Sequence, residues 1–282
     1  MKIGVSIGKP PQPPAIWIDV AYFAKEAERL GFESVWVGEH VTSPVHCESY
    51  SPNFPGGQVL GFHDPIVSLA RASAVTSRIK LGTGVILMPE HHPVELAKAI
   101  ATLDLFSGGR FLLGVGTGWN KEERAILGGD ASRPWAQTRE AVLAMKELWT
   151  KDEAEFHGDF YDFPPVRCFP PPASKPHPPV HLGGRSPFVI KRIVEWGDGW
   201  VGHRTTPEEL APRIKELHET AHEADRDPAT IEVSMASWAP TRDLARQYEE
   251  AGAHRLIVHT DGLSGEEETT AKLEEIAGII GL

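Results

Sequence analysis

The sequence predicts a (β/α)8 TIM barrel, and three observations lead there. Eight short apolar runs alternate with amphipathic stretches along the 282 residues, whereas a doubly wound open sheet usually has fewer strands. Several runs are short and apolar, such as Leu81–Leu87, interrupted by Gly82 and Gly84, and Phe111–Val115, as suits strands covered on both faces in a parallel sheet. Glycines gather where several of these runs end, and parallel α/β folds bind their ligands at that end. A chain of this length buries roughly three quarters of its unfolded surface, so a single domain over residues 1–282 needs neither disulfide nor metal.

Taken in order, Ile3–Ile7 is a strand, followed by a Pro-rich turn over residues 10–14. A helix over about 16–30 carries Val20, Phe23, Ala24 and Ala27 on one face and closes at Gly31. Ser34–Gly38 is the second strand, with Glu39 and His40 at its tip. Residues 41–63 then read as a long polar loop, of a length that tends to be functional or mobile. Asp64-Pro65 opens a helix to about Thr76, and Leu81–Leu87 is the third strand. Pro93 fits a first helical position, Val94, Ala97, Ala101 and Leu105 follow at helical spacing, and Gly108-Gly109 stop that helix.

Phe111–Val115 is the fourth strand, ended by Gly116-Thr117-Gly118. Asn120 and Glu123 have the spacing of a capping box for a short helix, and a longer helix covers about 135–150. Residues 151–179 break the alternation. Phe156–Tyr161 reads as a hairpin, and the prolines after it mark an irregular insertion before the fifth strand, Pro179–Leu182. Gly183-Gly184-Arg185-Ser186 opens a helix to Trp196. Strands at 199–202, 231–236 and 255–259 alternate with helices at 207–224, 241–251 and 266–279.

The net charge of −11 argues against nucleic acid and anionic membrane as partners. Cys47 and Cys168 are far apart and in no metal-ligand spacing, so a reduced cytoplasmic compartment is expected. The opening residues read as a strand with no signal-peptide pattern, and no apolar run has membrane length. A metal barrel is disfavoured despite thirteen histidines. His91 and His92 are adjacent and point apart, His177 and His181 lie in a Pro-rich stretch, and the third and fourth strands end in glycines instead of carboxylates. No Ser-His-Asp or reactive-Cys arrangement is discernible.

Four features share the C-terminal face: Glu39-His40, Thr83-Gly84-Val85, Gly116–Trp119 and Gly183–Ser186. Glycines 82 and 84 within a strand mark a bulge or the close approach of a flat ligand. The amides and guanidinium of Gly183–Ser186 suit a phosphate, and a plain βα turn is the alternative. Trp17, Trp119 and the 41–63 loop would form an apolar substrate pocket. The small residues Ala70, Ala72, Ala74, Ala97 and Ala101 fit either a subunit contact or tight packing on the barrel.

These residues resemble the bacterial luciferase-like superfamily of flavin- and deazaflavin-dependent oxidoreductases. The resemblance covers nearly the whole chain and rests on Leu30–His40, Leu81–Val85, Asp104–Phe111, Leu113–Trp119, Gly183-Gly184-Arg185 and Gly197–Trp200. The pattern is most similar to the branch that uses coenzyme F-420, an obligate hydride carrier. FMN-dependent monooxygenases that use reduced flavin and oxygen are the alternative, and a non-catalytic cofactor-binding protein is a second one.

The resemblance implies a cofactor at the barrel mouth and a non-proline cis peptide at Gly84–Val85. It implies cofactor contacts from His40, Thr83, Gly84, Val85, Thr117, Gly118, Gly183, Gly184, Arg185 and Ser186. It makes His40 the proton donor or substrate anchor with Glu39 orienting it, and Trp119 a substrate contact. A homodimer, a small organic substrate and a separate flavin or deazaflavin reductase as electron source belong to the same expectation. One departure stands out. Sugar-phosphate dehydrogenases of the superfamily carry a carboxylate where this chain has Trp119, so Glu122 or Glu123 is the candidate replacement and sugar-phosphate oxidation is not expected. Arg204 is the candidate second basic group for a phosphate.

Overall fold

The computed structural model describes residues 1–8, 17–49 and 61–282. The Pro-rich turn, the start of the first predicted helix and part of the 41–63 loop lie outside the described residues. The elements are β1 (Lys2–Ile7), α1 (Val20–Arg29), β2 (Ser34–Val37), α2 (Pro65–Val75), β3 (Lys80–Thr83), β4 (Ile86–Leu87), α3 (Pro93–Ser107), β5 (Phe111–Gly116), α4 (Lys121–Ile126) and α5 (Pro134–Thr150). They continue as β6 (Ala154–His157), β7 (Asp162–Val166), β8 (Val180–Gly183), α6 (Val189–Trp196), β9 (Gly199–His203), α7 (Pro207–Glu223), β10 (Glu232–Ser237), α8 (Arg242–Glu250), β11 (Arg255–Thr260) and α9 (Gly265–Ile280).

Parallel pairing runs β3-β2-β1-β11-β10-β9-β8-β5, and β5 returns to β3, which closes an eight-stranded barrel. The third predicted strand is split into β3 and β4 around a cis peptide at Gly84–Val85. The predicted hairpin is β6 and β7, paired antiparallel outside the barrel. Local chemistry explains several boundaries. Asp64 caps α2 by accepting from the Val67 amide (2.8 Å) with Pro65 at the first position, and Gly108 ends α3 in the left-handed conformation (φ 68°). Ala72, Ala97 and Ala101 are fully buried within this chain, so packing on the barrel accounts for them, whereas Ala70 is half-buried and Ala74 is exposed on α2.

The barrel interior is layered. At the N-terminal end Arg255, 1% exposed, donates to both carboxylate oxygens of Glu33 (2.7 and 2.8 Å), to Glu232 (2.7 Å) and to the Ser234 hydroxyl (2.8 Å). Above this polar layer sit Trp36, Leu112, Val201, Ala236 and Ile257. Trp36 lies beside Gly82 in register and donates from Nε1 to the Ser34 hydroxyl (2.9 Å). A Cβ on Gly82 would overlap the indole ring, so this glycine makes room for Trp36 and not for a ligand, a correction to the sequence reading. Gly82→Ala is expected to destabilise the fold by about 1–3 kcal/mol, because the added methyl would overlap the buried indole. An unchanged urea midpoint would mean that Trp36 can shift.

His181, fully buried beside the same polar layer, is pushed by burial down to about 4. It stays neutral in the folded chain and charges on unfolding, near the ordinary value of ~6.5. Its contribution is therefore complete above pH ~6.5 and is lost progressively as pH falls towards 4. His181→Gln should flatten the decline in stability between pH 7 and 5, by at most about 2 kcal/mol over that range. Equal slopes in the variant and the parent would reject this origin of acid sensitivity. Among the described residues no helix is long and apolar enough to cross a membrane.

Candidate active site at the barrel mouth

The ends of β2, β4, β5, β8, β9, β10 and β11 surround one cavity of about 580 Å³, floored by Trp36, Val201, Ala236 and Ile257. One wall is backbone. Gly84, Gly116 and Gly183 line it together with Val85, and a Cβ added at Gly116 or Gly183 would approach the Val85 side chain to 2.8 or 3.1 Å. Glycines thus pack around the single Val85 side chain, a wall of small groups that fits a flat ring system, and the volume is of the order of cofactor pockets generally. Gly84, Val85, Thr117, Gly118, Gly183, Gly184, Arg185, Trp119 and Arg204 all line the cavity.

His40, 8% exposed, follows β2 directly and is flanked by Phe62 (centroids 5.3 Å) and Trp119 (5.4 Å, edge-on). Its Nδ1 lies 2.6 Å from Glu123 Oε2, while Glu123 Oε1 accepts from the Thr42 amide (3.0 Å). Glu123 is fully buried. Asn120 caps α4 by accepting from the Glu123 amide (3.0 Å), but the Glu123 side chain turns to His40 instead of completing the predicted capping box. The pair joins residues 83 positions apart in the chain. Sequence reasoning had Glu123 as a substitute acid and missed it as the partner of His40. Its place in the run Lys121–Arg124 reads as a solvated first turn.

Four expectations are corrected. Glu39, assigned to orient His40, lines the cavity but gives its carboxylate to the Leu87 amide (2.7 Å) and His91 Nε2 (3.0 Å). Burial opposes protonation of His91, and the Glu39 carboxylate outweighs it and raises its pKa. Thr83, assigned to the cofactor, is buried away from the cavity, its hydroxyl bonded to Gly114 N (2.8 Å) and O (2.9 Å). Ser186 lies outside the lining, with its hydroxyl accepting from Arg192 and its carbonyl from Arg213, both at 3.2 Å. The helix after Gly183–Ser186 begins only at Val189, so the turn does not present a helix N-terminus directly.

Trp17 faces a separate small pocket with Ile18, Gly61 and His63, so it does not wall the main cavity. Glu122 accepts from the Glu48 (3.0 Å) and Ser49 (3.2 Å) amides and holds the 47–49 segment, not the cavity wall. Glu90 was not foreseen. It is buried behind Gly118 with neither carboxylate oxygen hydrogen-bonded, and burial, reinforced by Glu123 and Glu39, raises its pKa to about 8. Among the described residues no group of three or more His, Cys, Asp or Glu could hold a metal ion.

The opposite side of the mouth carries His203, Arg204, Trp238, His259 and Asp261. Trp238 stacks on His259 (4.3 Å, 12°) and donates from Nε1 to Asp261 (3.1 Å). Burial brings His259 down to about 4.

Residues 6–276 match the family described as luciferase-like monooxygenase. An uncharacterized protein of Mycobacterium tuberculosis is 36% identical over 270 residues, 92% of this chain and 93% of that one. The F-420-dependent glucose-6-phosphate dehydrogenase of Amycolatopsis mediterranei is 31% identical over 235 residues, 77% of this chain and 65% of that enzyme. In fold, the chain is similar to the crystal structure of a monooxygenase from Streptomyces bottropensis, with a TM-score of 0.81 at 21% identity over 99% and 98% of the two chains. A family match over almost its full length, with a relative 36% identical over 92% of it, makes this chain a member of the luciferase-like monooxygenase family, which spans F-420-dependent oxidoreductases and flavin-dependent monooxygenases.

Proposed function

We propose that the protein is an oxidoreductase that moves a hydride between coenzyme F-420 and a small organic substrate. The observation that carries this reading is the His40–Glu123 pair facing a cavity with a glycine-lined wall. Similarity to an F-420-dependent dehydrogenase supports the choice of cofactor. His40, Gly84, Val85, Thr117, Gly118, Gly183, Gly184 and Arg185 would hold the cofactor, which supplies the hydride-carrying chemistry when bound.

The chain's own part is proton handling and exclusion of water. With Nδ1–H donated to Glu123, His40 has its lone pair on Nε2. As a substrate C–H bond gives up its hydride, Nε2 takes the hydroxyl proton, and Glu123 stabilises the imidazolium that forms. In the reverse direction the imidazolium returns the proton to a carbonyl oxygen. Trp119 and Phe62 pack against His40 and would shape an apolar substrate site, with no carboxylate at position 119 for sugar-phosphate oxidation. A homodimer and a separate reductase as electron source belong to the same reading, in a cytoplasmic setting with no nucleic acid or membrane partner.

Binding of F-420 and of FMN to the purified protein, followed by fluorescence, tests the cofactor. Micromolar or tighter affinity for the deazaflavin alone is expected. A preference for FMN would replace the hydride-transfer reading by oxygen-dependent monooxygenation, and oxygen uptake would then be measured.

A further inference from the structure

Glu90 has no part in the reaction described above, yet its setting is not that of a residue filling space. It ends a 3-10 turn, Met88–Glu90, and is 8% exposed, with neither carboxyl oxygen hydrogen-bonded among the described residues. Its Oε1 lies 3.6 Å from where a Cβ on Gly118 would stand, and the Leu87 side chain comes to 3.4 Å of the same point. Gly118, left-handed at φ 70°, lines the cavity together with Thr117 and Trp119. The carboxyl group therefore backs onto the turn that presents these three residues to a ligand. Trp119 in that turn packs edge-on against His40 (5.4 Å).

Arg124 fastens the same turn. Its Nη1 donates to the Thr117 carbonyl (3.0 Å), while its Nε is buried with no partner among the described residues. Its stem runs beside Pro89, the residue before Glu90: a Cβ on Gly129 would overlap Arg124 Cγ and come within 2.8 Å of the Pro89 carbonyl oxygen. An unbonded acid and an unbonded guanidinium N–H thus flank one turn. The charged groups that act on Glu90 are Glu123 and Arg124 on α4 and Glu39 beyond β2. Glu39 is itself engaged by the Leu87 amide and His91 Nε2, on either side of Glu90 in the chain. Burial first, then Glu123 and Glu39, favour the protonated acid, and Arg124 offsets them only in part, which brings Glu90 up to about 8. At neutral pH the side chain is an uncharged acid. In a space-filling role an apolar side chain of similar size would cost less than a buried carboxyl group without a partner.

We propose that Glu90 is a positioning residue: uncharged, it keeps the Thr117–Trp119 turn in place, and on ionising it releases the turn, so that the hold on ligands in the cavity is tied to pH. Loss of its proton to solvent leaves a buried carboxylate beside Glu123 and Glu39. That carboxylate must become hydrated or draw in Arg124, whose Nη1 is the bond that fastens Thr117. Either response pulls on the turn. By reciprocity, a ligand that needs the turn in place strengthens the hold of Glu90 on its proton. The proposal rests on the oxidoreductase reading only in taking Thr117, Gly118 and Trp119 as contacts for cofactor and substrate.

The test titrates the apoprotein from neutral to alkaline pH. Infrared spectroscopy follows the carbonyl stretch of a protonated carboxyl group, and amide hydrogen exchange follows Gly118 and Trp119. In the parent the band should vanish, and exchange at the turn should quicken beyond its chemical pH dependence, with one shared midpoint at about pH 8. Glu90→Gln, which keeps the uncharged shape, should lack the band and show no such quickening. The Kd for F-420 should rise about 10-fold between neutral pH and pH ~9.5 in the parent, and less than about 2-fold in Glu90→Gln. Different midpoints for band and exchange in the parent, or a turn in Glu90→Gln as sensitive to pH as the parent's, would overturn the proposal. The comparison of midpoints needs no variant, so it decides even where Glu90→Gln fails to fold. Failure of F-420 to bind at any pH would overturn the cofactor reading, while the apoprotein measurements still decide the role of Glu90.

Discussion

His40→Ala is expected to bind F-420 within a few-fold of the parent and to turn over about 10²–10⁴-fold more slowly. Binding should persist because the imidazole is one contributor among many to a cavity walled largely by backbone and aromatic side chains. Turnover should fall because the proton accompanying the hydride has lost its carrier. Glu123→Gln keeps the size of the side chain and its bond to the Thr42 amide but removes the charge that stabilises the imidazolium. It should lower kcat by roughly 10-fold or more with little change in KM.

Because His40→Ala also leaves a buried carboxylate short of a partner, His40→Asn, which retains a donor, is the control for folding. Single-turnover rates and cofactor titrations of the three variants separate chemistry from binding. Full activity in His40→Ala would remove the imidazole from the reaction and move attention to Glu90 behind the cavity wall.

Arg255→Gln should be the most damaging single change to stability, lowering the free energy of unfolding by about 3–5 kcal/mol. The guanidinium is buried at the N-terminal end of the barrel and bridges Glu33, Glu232 and the Ser234 hydroxyl. Burial depresses its proton affinity, but the bonds and charges of Glu33, followed by Glu232, outweigh this and raise it. Without it, two carboxylates face the barrel base, and Lys2 is left as the paired cation of Glu232 among the described residues. Urea denaturation measures the loss. A change below about 1 kcal/mol would mean that Lys2 and solvent replace the guanidinium, as for an ordinary surface pair.

The strand-and-helix order was legible because each signal is local. Asp64-Pro65, Pro93 and Gly108-Gly109 mark helix ends by capping and backbone preference, and short apolar runs mark strands buried on both faces. The face carrying the site was legible for the same reason. Once strands and helices alternate in a parallel barrel, every strand-to-helix connection emerges on one side. His40, Trp119 and Arg185 were therefore assigned to one mouth from the order of elements and the family resemblance, without any distance.

What the sequence by itself determined is the barrel, the face of the candidate site and the membership of a family whose motifs span the chain. Tertiary structure decided which acid serves which base. Glu39 is adjacent to His40 in sequence yet serves Leu87 and His91, whereas Glu123, 83 positions away, reaches the imidazole. It also decided that Gly82 accommodates Trp36, and that the Thr83 hydroxyl is spent on Gly114. The physical reason is common to all of these. Periodicity and capping are set by backbone geometry within a few residues, but side-chain partnership depends on closure of the barrel, which brings strands and loops distant in sequence within hydrogen-bonding range.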